Sequence, residues 1–140
     1  MLLNNRNILL VDDDLIASRF NRKVLENLGE FDTIETEHQP LAAIRLLEEK
    51  LVNKTELPGL IVVDLYMPEI DGYEFIGKVE ELFKLHNILV TPEFIVLSSS
   101  QKEGDFKQFQ NTPFVKHFLS KPLVLHEMRE ALEEMNLVSM

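Results

Sequence analysis

Short apolar runs alternate with amphipathic stretches along the chain, and the alternation predicts its elements. Ile8–Val11 is a β-type run that stops at three acids, Asp12, Asp13 and Asp14. Leu15 to Leu28 follows, with Ile16, Phe20, Val24 and Leu28 at spacing four as a helical stripe. Gly29 is a natural helix stop. Phe31 to Glu37, rich in Thr, Ile and Phe, reads as a weaker second strand. Leu41 to Leu51 is helical, with Leu41, Ile44, Leu47 and Leu51 inward, and Pro40 suits its first turn. Leu57-Pro58-Gly59 breaks the chain. Leu60–Val63 is then a continuous apolar run of the kind buried on both faces of a sheet, and it ends at Asp64. A loop carrying Pro68 and Gly72 leads into a third helix, Tyr73 to Leu85, with Ile76, Val79 and Phe83 on one face. Phe94–Leu97 is a fourth strand ending in Ser98-Ser99-Ser100. A short polar helix is expected over about Glu103 to Gln110. A fifth strand is expected over Val115–Leu119, and Leu125, Met128, Leu132 and Met135 mark a last helix.

The pattern is (βα)5, with no linker, repeat or low-complexity tract. Alternating βα units predict an α/β fold with a parallel sheet covered on both faces. Right-handed crossovers make an open, doubly wound sheet its natural closure. In such sheets ligands bind beyond the carboxyl ends of the strands, so the polar residues there are the ones to weigh.

Composition narrows the picture. A chain of 140 residues, 45% hydrophobic, suits one domain (residues 1–140, core about 6–136). It has no cysteine, which excludes disulfides and thiolate metal sites and fits a reducing, cytoplasmic setting. With 14 basic and 24 acidic residues the net charge is −10, a poor basis for direct nucleic-acid binding. No apolar run approaches the roughly 20 residues a membrane span needs, and the start, MLLNNRN, lacks the apolar core of a signal peptide. The helical pattern stops near Met135, so no output domain is expected.

The rim residues form a set. Asp12 and Asp13 follow the first strand, Asp64 ends the third, Ser98 ends the fourth, and Lys121-Pro122 follows the fifth. Clustered carboxylates raise one another's proton affinity, which a divalent cation relieves. Oxygen ligands without Cys or convergent His favour the hard ion Mg²⁺. An Asp carboxylate can act as a nucleophile and form an aspartyl phosphate. A metal, a Lys and a hydroxyl suit the charge on a transferring phosphoryl group.

The motifs ILLVDDD (Ile8–Asp14), IVVDLYMPEIDGYEF (Ile61–Phe75), VLSSS (Val96–Ser100) and FLSKP (Phe118–Pro122) resemble the successive signatures of response-regulator receiver domains. The likeness covers nearly the whole chain and is closest to stand-alone, chemotaxis-regulator-like members. It implies a flavodoxin-like fold with strand order 2-1-3-4-5. By position it implies that Asp64 is the phosphoacceptor. Asp13 would bind Mg²⁺ with Asp64, with Asp12 close by or acting through water, and the Tyr66 backbone carbonyl would be a further ligand. Ser98 would bond the phosphoryl group, Lys121 would pair with it, and Ser98 with Phe118 would form the switch. Pro68 and Gly72 would shape the loop, and Lys121-Pro122 stands where the family often has a cis peptide.

The partners implied are a sensor histidine kinase or histidine phosphotransfer protein, a downstream docking protein, and a homodimer through the short helix, fifth strand and last helix. The protein would be a phospho-switch and not an enzyme. Departures from the family pattern are Ser98 for the commoner Thr, Phe118 for Tyr, a long stretch from Leu85 to Pro92, and no Gly-Ala pair in Gln110 to Pro113. Two other readings stand beside this one. An aspartyl-phosphate phosphatase usually has a second acid two residues after the nucleophile, where this chain has Tyr66. A phosphorylation-independent docking module usually lacks part of the acid–Ser–Lys set. Asp14 reads as the cap of the first helix, and His38, His86, His117 and His126 as surface or packing residues.

Overall fold

The computed structural model describes residues 5–99, Lys107 and residues 115–135. Strands β1 (Asn7–Val11), β2 (Thr33–Glu37), β3 (Leu60–Asp64), β4 (Glu93–Ser98) and β5 (Val115–Ser120) are joined with helices α1 (Leu15–Leu28), α2 (Pro40–Val52), α3 (Gly72–Leu85) and α4 (Leu125–Glu134). All neighbouring strands pair in parallel, in the order β2-β1-β3-β4-β5. This is the flavodoxin-like order expected, with its topological switch point between β1 and β3. The short helix expected over about 103–110 lies outside the described residues, except that Lys107 is helical.

Strand side chains alternate between two cores. Leu9, Val11, Ile61, Val63, Phe94 and Val96 pack with Ala43 and Leu47 of α2 and Phe75, Ile76, Val79 and Phe83 of α3. Ile8, Leu10, Leu60, Val62, Ile95 and Leu97 pack on the other face with Leu25 and Leu28 of α1 and Met128 and Leu132 of α4. Every residue of β3 is buried, as its unbroken apolar run requires.

The helices start and stop where their chemistry directs. Asp14 caps α1, its Oδ1 accepting from the N–H groups of Ile16 at 2.9 Å and Ala17 at 3.1 Å. Gly29 ends that helix at φ 67°, a conformation that suits glycine. Asp71 and Glu74 form a capping box on α3.

Several inward faces differ from expectation. In α1 the buried residues are Ser18, Asn21, Leu25 and Leu28, whereas Ile16 is 81% and Phe20 50% exposed. A strict spacing of four drifts about 40° per step around a helix, so Ile16, Phe20, Val24 and Leu28 cannot share one narrow face. In α2, Pro40, Ala43 and Leu47 are buried while Leu41 lies at the surface. In α4, Met128 and Leu132 are buried and Leu125 is exposed. β2 is two residues shorter than expected and starts at Thr33.

Candidate functional site

The carboxyl ends of β1, β3, β4 and β5 converge on one rim, and the parallel register makes them do so. Val11 pairs with Val63, Asp64 with Leu97, and Ser98 with Ser120. Asp12 continues β1 by one residue, its N–H donating to the Glu37 carbonyl at 3.0 Å. Lys121 continues β5, its N–H donating to the Ser98 carbonyl at 3.0 Å. The four predicted segments therefore meet through backbone pairing.

Asp12 and Asp64 are buried, Asp13 is the most exposed of the three acids, and one oxygen of each lies within 4.8 Å of the others. The Lys121 ammonium lies 2.9 Å from Asp12 Oδ2 and 3.3 Å from Asp64 Oδ2. One ammonium facing three carboxylates leaves the cluster negative. Burial, and then the charge of Asp12, raises the Asp64 carboxyl from 3.8 to about 7, against the pull of Lys121. Burial lowers the proton affinity of Lys121, but its contacts with Asp12 and Asp64 more than offset this and the net shift is upward. Three carboxylates that bring an oxygen each within 4.8 Å of one another, with no Cys or His among them, form a hard oxygen donor set that suits a small, oxygen-seeking cation.

The loop after Asp64 is held tightly against it. A Cβ on Gly72 would lie 2.9 Å from the Asp64 carbonyl oxygen and 3.1 Å from Leu65 Cα. Only glycine admits that approach, which lets the Gly72 N–H donate to the Leu65 carbonyl at 2.7 Å. Glu69 in the same loop takes φ 75°. Tyr66 stands two residues beyond Asp64, 43% exposed. Ser98 is fully buried at the end of β4. Phe118 pairs in register with Val96 and is partly buried against the α2–α3 core. The Lys121-Pro122 peptide is cis.

Two residues of the site were not anticipated. Asn21 is completely buried, and its Oδ1 accepts from the Leu123 N–H at 3.2 Å, tying α1 to the segment that follows Lys121-Pro122. Its Nδ2 has no partner among the described residues. It hid in a helical series, Ser18–Asn21–Leu25–Leu28, that reads as inward only when polar residues are admitted to it. His38 follows β2, and its Nδ1 donates to the Asp12 carbonyl at 3.1 Å. The rule that pointed to Asp12 and Asp64 also covers the end of β2, so His38 was open to the same reading. Beside Lys121 an open cleft of about 510 Å³ runs between α1 and the Lys121-Pro122 turn, lined by Ile16, Ala17 and Phe20 among others.

Comparison with known proteins gives a consistent result. A family model described as the response regulator receiver domain matches residues 8–133. An uncharacterised 14.6 kDa protein from the sodA1 3′ region of Leptolyngbya boryana is 35% identical over 121 residues, covering 86% of this chain and 82% of its own. A two component response regulator from Cytophaga hutchinsonii superposes with TM-score 0.78 at 28% identity, over 93% of this chain and 96% of the other. The receiver domain of the histidine kinase CKI1 from Arabidopsis thaliana, in complex with Mg²⁺ and BeF₃⁻, shares the fold with TM-score 0.78 at 22% identity, over 94% and 89% of the two chains.

Proposed function

The chain belongs to the response regulator receiver domain family of two-component signalling, whose members are phosphorylated on an aspartate, and from that premise we propose that Asp64 is the acceptor of a phosphoryl group delivered from a phosphohistidine. The observation that carries the assignment is the contact of Lys121 with both Asp12 and Asp64 at the mouth of one buried acidic cluster. Asp64 ends a fully buried strand, so its carboxylate is fixed where an incoming group meets it.

In the reaction an oxygen of Asp64 forms a bond to phosphorus as the P–N bond to the donor imidazole breaks, and the released ring nitrogen keeps that bond's electron pair. Asp13 and Asp64, with Asp12 beside them and the Tyr66 backbone carbonyl, would hold Mg²⁺. Bound there, the ion would offset carboxylate repulsion and the charge on the phosphoryl oxygens. A neighbour of the same fold was solved with Mg²⁺, which supports that choice. Lys121 pairs with one phosphoryl oxygen and Ser98 donates to another.

The donor, a sensor histidine kinase or histidine phosphotransfer protein, would seat on the cleft between α1 and Pro122, where Ile16 and Phe20 offer apolar surface beside Lys121. The new phosphate brings about 1.5 to 2 negative charges. Ser98 moves toward it, Phe118 follows into the freed space, and the surface around β5 and α4 changes its affinity for a downstream docking protein or a second copy. The family is a signalling module rather than an enzyme class. The chain would act in the cytoplasm, and no helix of the described residues is long and apolar enough to cross a membrane.

The test is intact mass after incubation with phosphoramidate, in Mg²⁺ or in EDTA, on the native sequence and on Asp64→Asn. A single phosphoryl adduct that needs Mg²⁺ and is absent from the variant is expected. No adduct on folded, Mg²⁺-binding protein would overturn the proposal in favour of phosphorylation-independent docking.

A further inference from the structure

We infer that His38 is a positioning residue for the metal-binding acids, an inference that rests on the reading of Asp12, Asp13 and Asp64 as the cation site. The carbonyl that His38 Nδ1 holds at 3.1 Å belongs to the peptide joining Asp12 to Asp13. The plane of that peptide sets the backbone torsions on either side of it, and hence the direction in which the Asp13 side chain leaves the main chain. The preceding peptide is held as well, because the Asp12 N–H donates to the Glu37 carbonyl at 3.0 Å. Consecutive residues at the end of β2, Glu37 and His38, thus clamp both peptides of Asp12.

On the far side, the Asp14 N–H donates to Asp12 Oδ1 at 3.0 Å. Asp14 itself is committed to capping α1. The segment from Asp12 to Asp14 is therefore held from both sides, and His38 supplies the side-chain contact from β2. Asp13 is the most exposed of the three acids, so it has least packing of its own to orient it. His38 performs no helix-capping role that would explain it otherwise: α2 is capped at Gln39, without a side-chain bond.

A net hydrogen bond is worth about 0.5–1.5 kcal/mol, or roughly 2- to 12-fold in an equilibrium constant. Without the clamp the Asp13 carboxylate samples more directions, and the cation must order it on binding.

The experiment is calorimetric titration of the unphosphorylated full chain with Mg²⁺, comparing the native protein, His38→Leu and His38→Asn. Leu fills similar space without a donor, and the Asn amide nitrogen can take the place of Nδ1. His38→Leu is expected to weaken Mg²⁺ binding about 3- to 10-fold. Its phosphoramidate rate should fall at low Mg²⁺ and recover at saturating Mg²⁺, with His38→Asn restoring both. Should Leu fold poorly, native-like Mg²⁺ affinity in His38→Asn against loss in His38→Gln, whose amide is one methylene displaced, reads the same geometry. Native affinity in His38→Leu, or an Asn variant no better than Leu, would overturn the inference while leaving Asp64 as acceptor intact. Failure of the native protein to bind Mg²⁺ would instead count against the site reading itself.

Discussion

Helices α1 and α3 have the same length, 14 residues, and both start from an Asp cap at the rim, yet they bury different things. α3 buries Tyr73, Phe75, Ile76, Val79, Leu82 and Phe83 and is part of one core. α1 buries four residues, two of them polar, and turns Ile16 and Phe20 toward solvent beside the acidic cluster. Apolar side chains at helical spacing are therefore not the same as a core face. α3 commits its apolar surface to the core, whereas α1 leaves Ile16 and Phe20 in solvent and places a buried amide, Asn21, against the segment that follows Lys121-Pro122.

The largest effect that separates the two helices is a truncation in α3. Phe83→Ala should destabilise the domain by about 3–5 kcal/mol, through lost burial and the cavity left behind. Urea unfolding measures this, and a change below about 1 kcal/mol would mean that α3 is not the core element described here.

The next effect lies at Asp64, in the acidic cluster on the rim where both helices begin. In metal-free protein Asp64 holds its proton up to about pH 7, against 3.8 in the unfolded chain. Between those values the native state binds more protons than the unfolded state, so this group's contribution to stability falls as pH rises through that window. Asp64→Asn removes the dependence and should gain about 1–2 kcal/mol relative to the native sequence above pH 7, after allowance for solvent screening. Added Mg²⁺ should close the gap by stabilising the native sequence alone. Parallel stability curves for the two proteins from pH 4 to pH 8 would contradict the raised proton affinity of Asp64.

The smallest effect on stability is the most telling for the comparison. Ile16→Ser and Phe20→Ser should each change unfolding free energy by no more than about 0.5 kcal/mol, since both side chains are solvent-facing. Phosphoramidate labelling of Asp64 should be unchanged. Phosphotransfer from a protein donor should slow by tenfold or more if the donor seats on the α1 surface as proposed, since the small-molecule reaction has no need of that surface. Equal loss with both donors would place Ile16 and Phe20 in the folded core or the chemistry instead.

Much of this was legible without coordinates. The run Leu60–Val63 announces a strand buried on both faces, and Asp64 at its end announces a rim residue. Asp14, Gly29 and Pro40 mark helix boundaries by local backbone chemistry, and each stands where it was expected. What failed was the inward face of several helices, α1 above all, with Leu41 of α2 and Leu125 of α4 also at the surface. Spacing alone does not say which of two overlapping stripes meets the sheet, and in α1 the stripe that does carries Ser18 and Asn21.

The order of elements, the parallel sheet and the identity of the acid–Ser–Lys set were determined by the sequence itself. They depend on local periodicity and on residues at strand ends, which a linear pattern records. The hydrogen bonds from His38 to Asp12 and from Asn21 to Leu123, and the proton affinity of Asp64, were decided only by the tertiary structure. The two hydrogen bonds join residues 26 and 102 positions apart, and the proton affinity depends on how many charges are packed together away from water. Proximity and desolvation of that kind exist only once the strands have paired.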